Sequence, residues 1–198
     1  MVKTNTVYTI TAGILVGYLL GRRQLRRLVK TAHQDELTGL PDRSVMESTL
    51  KNALHHHESI TVAMLDIDGL KLVNDKWGHQ AGDETIMVVS NQLLSLLPAL
   101  PHSGFVARIG GDEFVVITTA TPKELKTAYL DTFDGFSSKA AVGVSELHPH
   151  EHIDHVLACA DVAMYYAKQR REPVVLYDPL TMTDPEVQRP THVRQRAR

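Results

Sequence analysis

The chain has 198 residues, 43% hydrophobic and 22% charged, a size and composition that fit one globular domain with appendages. They exclude a fibrous or wholly disordered chain and leave no room for two full enzymatic domains. Its 21 Lys and Arg against 23 Asp and Glu give a formal net charge of −2, but all six basic residues of positions 1–30 (Lys3, Arg22, Arg23, Arg26, Arg27 and Lys30) stand there without an acid, so the body is acidic and carries no basic stripe for DNA or RNA.

Between Lys3 and Arg22 lie 18 consecutive uncharged residues. At about 1.5 Å per residue a helix of that length reaches about 27 Å, against a hydrocarbon core of about 30 Å. Residues 1–21 are therefore expected to form a single transmembrane anchor. A cleaved signal peptide puts its basic residues before the apolar run, whereas here the arginines follow it, and the positive-inside rule keeps that flank cytoplasmic. The alternative, a buried soluble helix, needs a deep core to cover so uniform an apolar face. Gly13, Gly17 and Gly21 recur every four residues on one helix face, a pattern that lets two backbones approach. Residues 22–34, with Leu25, Leu28, Val29 and Ala32 at helical spacing amid arginines, read as a basic connector helix. The expectation is a single-pass protein of the inner or cell membrane with its body in the cytoplasm.

Residues 35–43 hold Gly39 and Pro41, which mark a turn, with Asp35 and Arg43 expected to fix it as an ion pair. A helix follows to about residue 56. Residues 60–65 are β-prone and run into Asp66-Ile67-Asp68-Gly69, acids at a strand's end. Residues 70–77 and 82–97 have helical periodicity, separated by Gly78-His79-Gln80-Ala81, with Trp77 expected to pack in the core. Apolar runs at 105–109 and 113–118 flank Gly110-Gly111, a dipeptide suited to a tight hairpin. Residues 122–133 read as a helix capped by Thr121, 140–144 as a strand, 153–169 as a helix and 174–177 as a closing strand. The single cysteine, Cys159, sits among Ala158, Ala160 and Ala163 and reads as a core residue of a cytosolic body. Residues 179–198 lack periodicity and read as a disordered tail. His148, His150, His152 and His155 have uneven spacing around Pro149 and read as exposed loop residues rather than as a metal site. Alternating helices and strands around a central hairpin describe an α+β domain.

The acids suggest chemistry on their own. Asp66 and Asp68 end one strand, and Asp112 and Glu113 sit at a hairpin turn that can lie beside it. Clustered carboxylates repel unless a cation or protons intervene, so a divalent metal on oxygen ligands is the economical explanation. Magnesium commonly comes with phosphates. Backbone N–H groups of Gly69 and Leu70 stand just before a helix, where anionic oxygens are favoured, and Lys71 and Lys168 add positive charge. A nucleoside triphosphate fits this combination.

Arg108-Ile109-Gly110-Gly111-Asp112-Glu113-Phe114 resembles the signature hairpin of the GGDEF family, the diguanylate cyclases that condense two GTP into cyclic di-GMP. Other segments follow in that family's order: 35–43, 66–75, 78–83 and 160–168. The resemblance covers residues 35–178 and implies a nucleotidyl-cyclase-like fold, a mostly antiparallel central sheet flanked by helices. It further implies that Asp66, the Ile67 carbonyl and Asp112 bind Mg2+ or Mn2+, that Asn74 and Asp83 read guanine, and that Gly69, Leu70, Lys71 and Lys168 hold the triphosphate. Glu113 would then take the proton of the ribose 3′-hydroxyl that attacks the partner's α-phosphate. Each domain holds one GTP, so a homodimer is implied, which gives the anchor and connector a purpose.

The chain departs from the family at three places. After Lys168 the family has a Gly-Arg-Asn-like turn, and here Gln169-Arg170-Arg171-Glu172-Pro173 puts an acid where the arginine stands. The Arg-x-x-Asp used for product inhibition is replaced by Pro101-His102-Ser103-Gly104, so feedback by that route is expected to be absent. The stretch 118–139 is short for the family. Glu172 motivates an alternative of a different class: a catalytically weak or inactive domain that binds GTP as a regulatory or interaction module. A scaffold that holds no nucleotide is a third reading, against which the full set of acids argues.

Overall fold

A computed structural model describes residues 33–55, 59–135, 140–148 and 151–182. The chain divides into two units, residues 1–34 and 35–198, and the helices and strands of the described residues belong to the second. The expected anchor, most of the connector and the chain beyond residue 182 lie outside the described residues. Among the described residues, no helix is long and apolar enough to cross a membrane.

The elements run α1 (Arg43–His55), β1 (Ile60–Ile67), α2 (Leu70–Trp77), α3 (His79–Leu96), a 3-10 turn (Leu97–Ala99), β2 (Gly104–Arg108), β3 (Glu113–Thr118), α4 (Pro122–Phe133), β4 (Ala140–Leu147), α5 (Ile153–Arg170) and β5 (Val174–Leu176). The five strands form one sheet in the order β2-β3-β1-β4-β5. β1 pairs antiparallel with β3 and β4, β2 antiparallel with β3, and β4 parallel with β5. The sheet is thus mixed, with its parallel pair at one edge.

Alternate residues of each strand go to opposite faces. Ala63, Leu65 and Ile67 of β1, with Phe114 and Val116 of β3, pack with Ile86, Val89 and Leu93 of α3 and Leu125 of α4. Ile60 and Val62, with Val115 and Ile117, pack instead with Met46 and Leu50 of α1 and Val156 of α5. Both faces being covered explains why the central strands read as unbroken apolar runs. Cys159 is buried, as expected.

Local chemistry sets several boundaries. Thr121 accepts from the Glu124 backbone while the Glu124 side chain accepts from the Thr121 backbone, a capping box with Pro122 at the first turn. Four expectations are corrected. α3 begins at His79, because Gly78 alone, at φ 85°, makes the break between helices, so the expected linker 78–81 shrinks to one residue. β4 runs on to Leu147 along its full pairing with β1. Trp77 is 62% exposed: the eight-residue α2 buries only Leu70, and the ring lies under the Lys76 ammonium at 4.3 Å. Residues 179–182, assigned to the tail, are folded: Met182 N donates to the Asp178 carbonyl at 2.9 Å, and its side chain is buried against Val162, Ala163 and Ala167 of α5.

Candidate functional site

The antiparallel register of β1 and β3 sets Asp66 directly opposite Glu113, on the face that α5 covers. Directly opposed acids on neighbouring strands repel, and the surroundings answer that repulsion in two ways. The Lys168 ammonium, from α5, pairs with Asp66 Oδ1 at 2.6 Å. Burial, and then the charges of Asp112 and Asp66, push the Glu113 carboxyl above the ordinary carboxylate range, while Arg43 at the start of α1 pulls it down. Asp66 is also pushed up, by burial first and then by Asp112 and Asp68, with Lys168 opposing. Both groups thus favour a proton or a nearby cation.

The hairpin that presents Asp112 and Glu113 is locked at its base. Ile67 N donates to the Asp112 carbonyl at 3.1 Å and Ile109 N to the Glu113 carbonyl at 2.9 Å. A side chain at Gly110 would run into the Glu113 carboxylate, so the glycine is what lets that acid fold back over the turn. Arg108 binds the Gly111 carbonyl through Nη2 at 2.7 Å and Asp35 through Nη1 at 2.8 Å. The expected Asp35–Arg43 pair is therefore corrected to Asp35–Arg108: the turn at 35–41 reaches the hairpin, and its Pro41 carbonyl accepts from Arg108 N at 3.0 Å.

Beside these acids lies a cleft of about 910 Å³. Asp66, Ile67, Asp68 and Gly69 line it from the end of β1, and Lys168, Arg171 and Glu172 from the end of α5. Tyr129 and Phe133 of α4, stacked with centroids 4.2 Å apart, also line it. The Tyr129 hydroxyl donates to the Ala140 carbonyl at 3.2 Å, and burial raises its pKa. Gly69 enters α2 at φ 72° with no side-chain cap, so the first N–H groups of that helix stay available to an anion. Leu70 contributes only backbone here, since its side chain is in the core. Lys71 is exposed on α2 and outside the cleft lining.

Asn74 and Asp83 sit where α2 meets α3. A Cβ at Gly82 would collide with the Asn74 carboxamide, so Asn74 lies directly over the residue before Asp83. The structure therefore gathers Asp66, Ile67, Gly69 and Lys168 in one cleft, sets Glu113 and Asp112 on the neighbouring strand's hairpin, and packs Asn74 on Gly82, the residue before Asp83, outside the cleft lining. Arg108, Tyr129 and the charge of Arg43 on Glu113 were missed from sequence. The available signal was one arginine closing an otherwise apolar strand at 104–108.

Among the described residues no three His, Cys, Asp or Glu side chains converge as a ready-made metal site. Two carboxylates and a backbone carbonyl nonetheless suit a small hard cation that takes its remaining ligands from water and substrate phosphates.

Comparison with known proteins places these features in a wider set. The family model described as "Diguanylate cyclase, GGDEF domain" matches residues 32–173. The chain is 35% identical over 161 residues to the probable diguanylate cyclase DgcC of Escherichia coli K12, covering 73% of this chain and 43% of that protein. It is 33% identical over 165 residues to the cyclic di-GMP phosphodiesterase PdeR of the same organism, covering 75% of this chain and 24% of that one. Among solved structures, the coiled coil and GGDEF domain of DgcB from Caulobacter crescentus, in complex with c-di-GMP, superposes with a TM-score of 0.73 at 26% identity, over 86% of this chain and 99% of that one. The chain thus spans less than half the length of these curated relatives.

Proposed function

The chain belongs to the GGDEF domain family, and on that premise we propose that it is a diguanylate cyclase, joining two GTP into cyclic di-GMP across a homodimer. The observation that carries the reading is the register: Asp66 and Glu113 stand opposite one another beside a cleft whose far wall supplies Lys168. In each half-reaction the ribose 3′-oxygen of one GTP bonds to the α-phosphorus of the other. Pyrophosphate leaves and the hydroxyl proton passes to Glu113, whose raised pKa makes it a better base near neutrality. Asp66, Asp112 and the Ile67 carbonyl would hold Mg2+ or Mn2+, which when bound offsets the charge on the phosphate oxygens. Gly69 and Leu70 offer N–H groups, and Lys168 and Lys71 charge, to the triphosphate. Asn74, packed on Gly82, and Asp83 next to that glycine in the chain would read the guanine.

The experiment is GTP turnover by the full chain with magnesium, cyclic di-GMP being measured directly. Glu113→Gln is expected to lower the rate by about a hundredfold or more while GTP still binds. A folded, dimeric chain that binds GTP and yields no product overturns the cyclase reading. It would leave the second reading, a GTP-holding regulatory module, which Glu172 in the cleft wall favours. We also place the chain in the cell membrane through residues 1–21, with this domain in the cytoplasm. Fractionation of cells expressing the full chain tests that placement, and recovery of the chain in the soluble fraction counts against it.

A further inference from the structure

The last described residue is tied to the wall of the cleft. Met182 is buried in the cluster that holds Ala141 of β4 and Ala167 of α5, and both alanines also line the cleft. Ala141 stands opposite Asp66 in the register of β1 with β4, and Lys168 follows Ala167 in the chain. The turn that brings Met182 there is fixed by Asp178, whose carboxylate accepts from Leu180 N and from the Thr181 hydroxyl, each at 2.9 Å, and whose carbonyl accepts from Met182 N at 2.9 Å. Residues 183–198 therefore start beside the acids of the site.

Their charge is the opposite of the cleft's. Positions 183–198 hold Arg189, Arg194, Arg196 and Arg198 against Asp184 and Glu186. The cleft is lined by Asp66, Asp68, Asp134 and Glu172 against Lys168 and Arg171, and the stacked rings of Tyr129 and Phe133 form another part of its wall. Carboxylates beside aromatic faces suit a guanidinium, which pairs with the first and stacks on the second. An extended chain covers at most about 25 Å from Met182 to Arg189, ample for residues that begin at the cleft wall, and tethering gives them an effective concentration of about millimolar order there.

We propose that residues 183–198 dock in this cleft, their arginines on its carboxylates and on the Tyr129 and Phe133 rings, and so compete with a metal-bound nucleotide. The docking stands on the cleft and the segment alone, and the competition rests on the nucleotide reading above.

Docking is tested without nucleotide. The full chain carrying Arg189→Gln, Arg194→Gln, Arg196→Gln and Arg198→Gln is titrated with a fluorescent peptide of residues 183–198. The peptide is expected to bind, and to lose about tenfold or more in affinity between about 50 and about 300 mM salt. Adding Asp68→Asn and Glu172→Gln, both exposed in the cleft lining, is expected to cost about tenfold. Glu84→Gln, exposed on α3, should change nothing, and melting temperatures check that each variant is folded. No binding, or equal binding to the variant lacking the cleft acids, overturns the docking. A peptide that binds anionic phospholipid vesicles and not the protein also overturns it, and makes the segment a membrane contact. For the competition, the fourfold arginine variant is expected to bind GTP with magnesium about tenfold more tightly than the wild type at low salt, the gap closing as salt rises. Equal GTP binding by the two overturns the competition. A peptide that docks on a chain neither form of which binds GTP overturns the nucleotide reading and leaves the docking in place.

Discussion

Arg108 draws together stretches far apart in the chain, taking Asp35, the Pro41 carbonyl and the Gly111 carbonyl at once. Segment 35–41 is thereby a clamp on the hairpin that carries Asp112 and Glu113. Burial alone would raise the Asp35 pKa, but hydrogen bonds from Thr38 and Arg108 outweigh it and hold the carboxyl below its ordinary 3.8. A carboxylate depressed in the folded state stabilises above its unfolded pKa, and that contribution is lost as pH falls through the folded value. Asp35→Asn is therefore expected to cost about 1–3 kcal/mol at pH 7, with the gap to wild type closing as the pH drops below 3.8. Urea denaturation at the two ends of that range checks it, and a gap that stays constant contradicts it. The true partner of Asp35 was illegible in sequence because Arg108 lies 73 residues away, while Arg43 stands in the same motif. Lys168, by contrast, was singled out from the family segment alone, and it lines the cleft and pairs with Asp66.

At the scale of elements, β4 and α5 meet through Gly143. A Cβ there would strike the Ala160 carbonyl and the Met164 amide, and would lie 2.7 Å from Met164 Cα, so the backbone of the helix rests directly on the strand. Because the obstacle is backbone, no rotamer change relieves it. Gly143→Ala is expected to cost about 1–3 kcal/mol or more, read as a lower melting temperature. It should also weaken GTP binding, since α5 carries Lys168. An unchanged melting temperature would mean that the helix shifts freely. The far end of β4 was hidden from sequence reading, for Ser145 and Glu146 interrupt the apolar run after Val144 while the pairing with β1 carries the strand on to Leu147. Gly82 was read as the first residue of its helix, yet α3 starts at His79 and holds Gly82 inside it, where its missing side chain makes room for Asn74. The hairpin and the Thr121 cap were legible because short-range chemistry decides them; the helix start and the strand end depend on packing between elements.

At the scale of the whole molecule, the near-zero net charge conceals an acidic body, with 11 basic and 21 acidic residues over positions 31–178. Such a surface repels a second copy of itself as well as a polyanion, whereas the proposed reaction joins nucleotides held by two copies. In that proposal each copy brings one GTP and one Glu113, so neither completes the chemistry alone. Meeting must then be limited by concentration unless something holds the copies together. The sequence of residues 1–34, with glycine at 13, 17 and 21 and leucines amid its arginines, is what we propose for that task, because tethering converts the encounter into one at an effective concentration of about millimolar order. The specific activity of a chain lacking residues 1–34 is expected to climb with protein concentration across a dilution series, that of the full chain to reach its plateau at far lower concentration, and a fused dimeriser to restore the plateau to the shortened chain. Equal, concentration-independent activity in both would mean that one domain suffices and would overturn the two-copy reading.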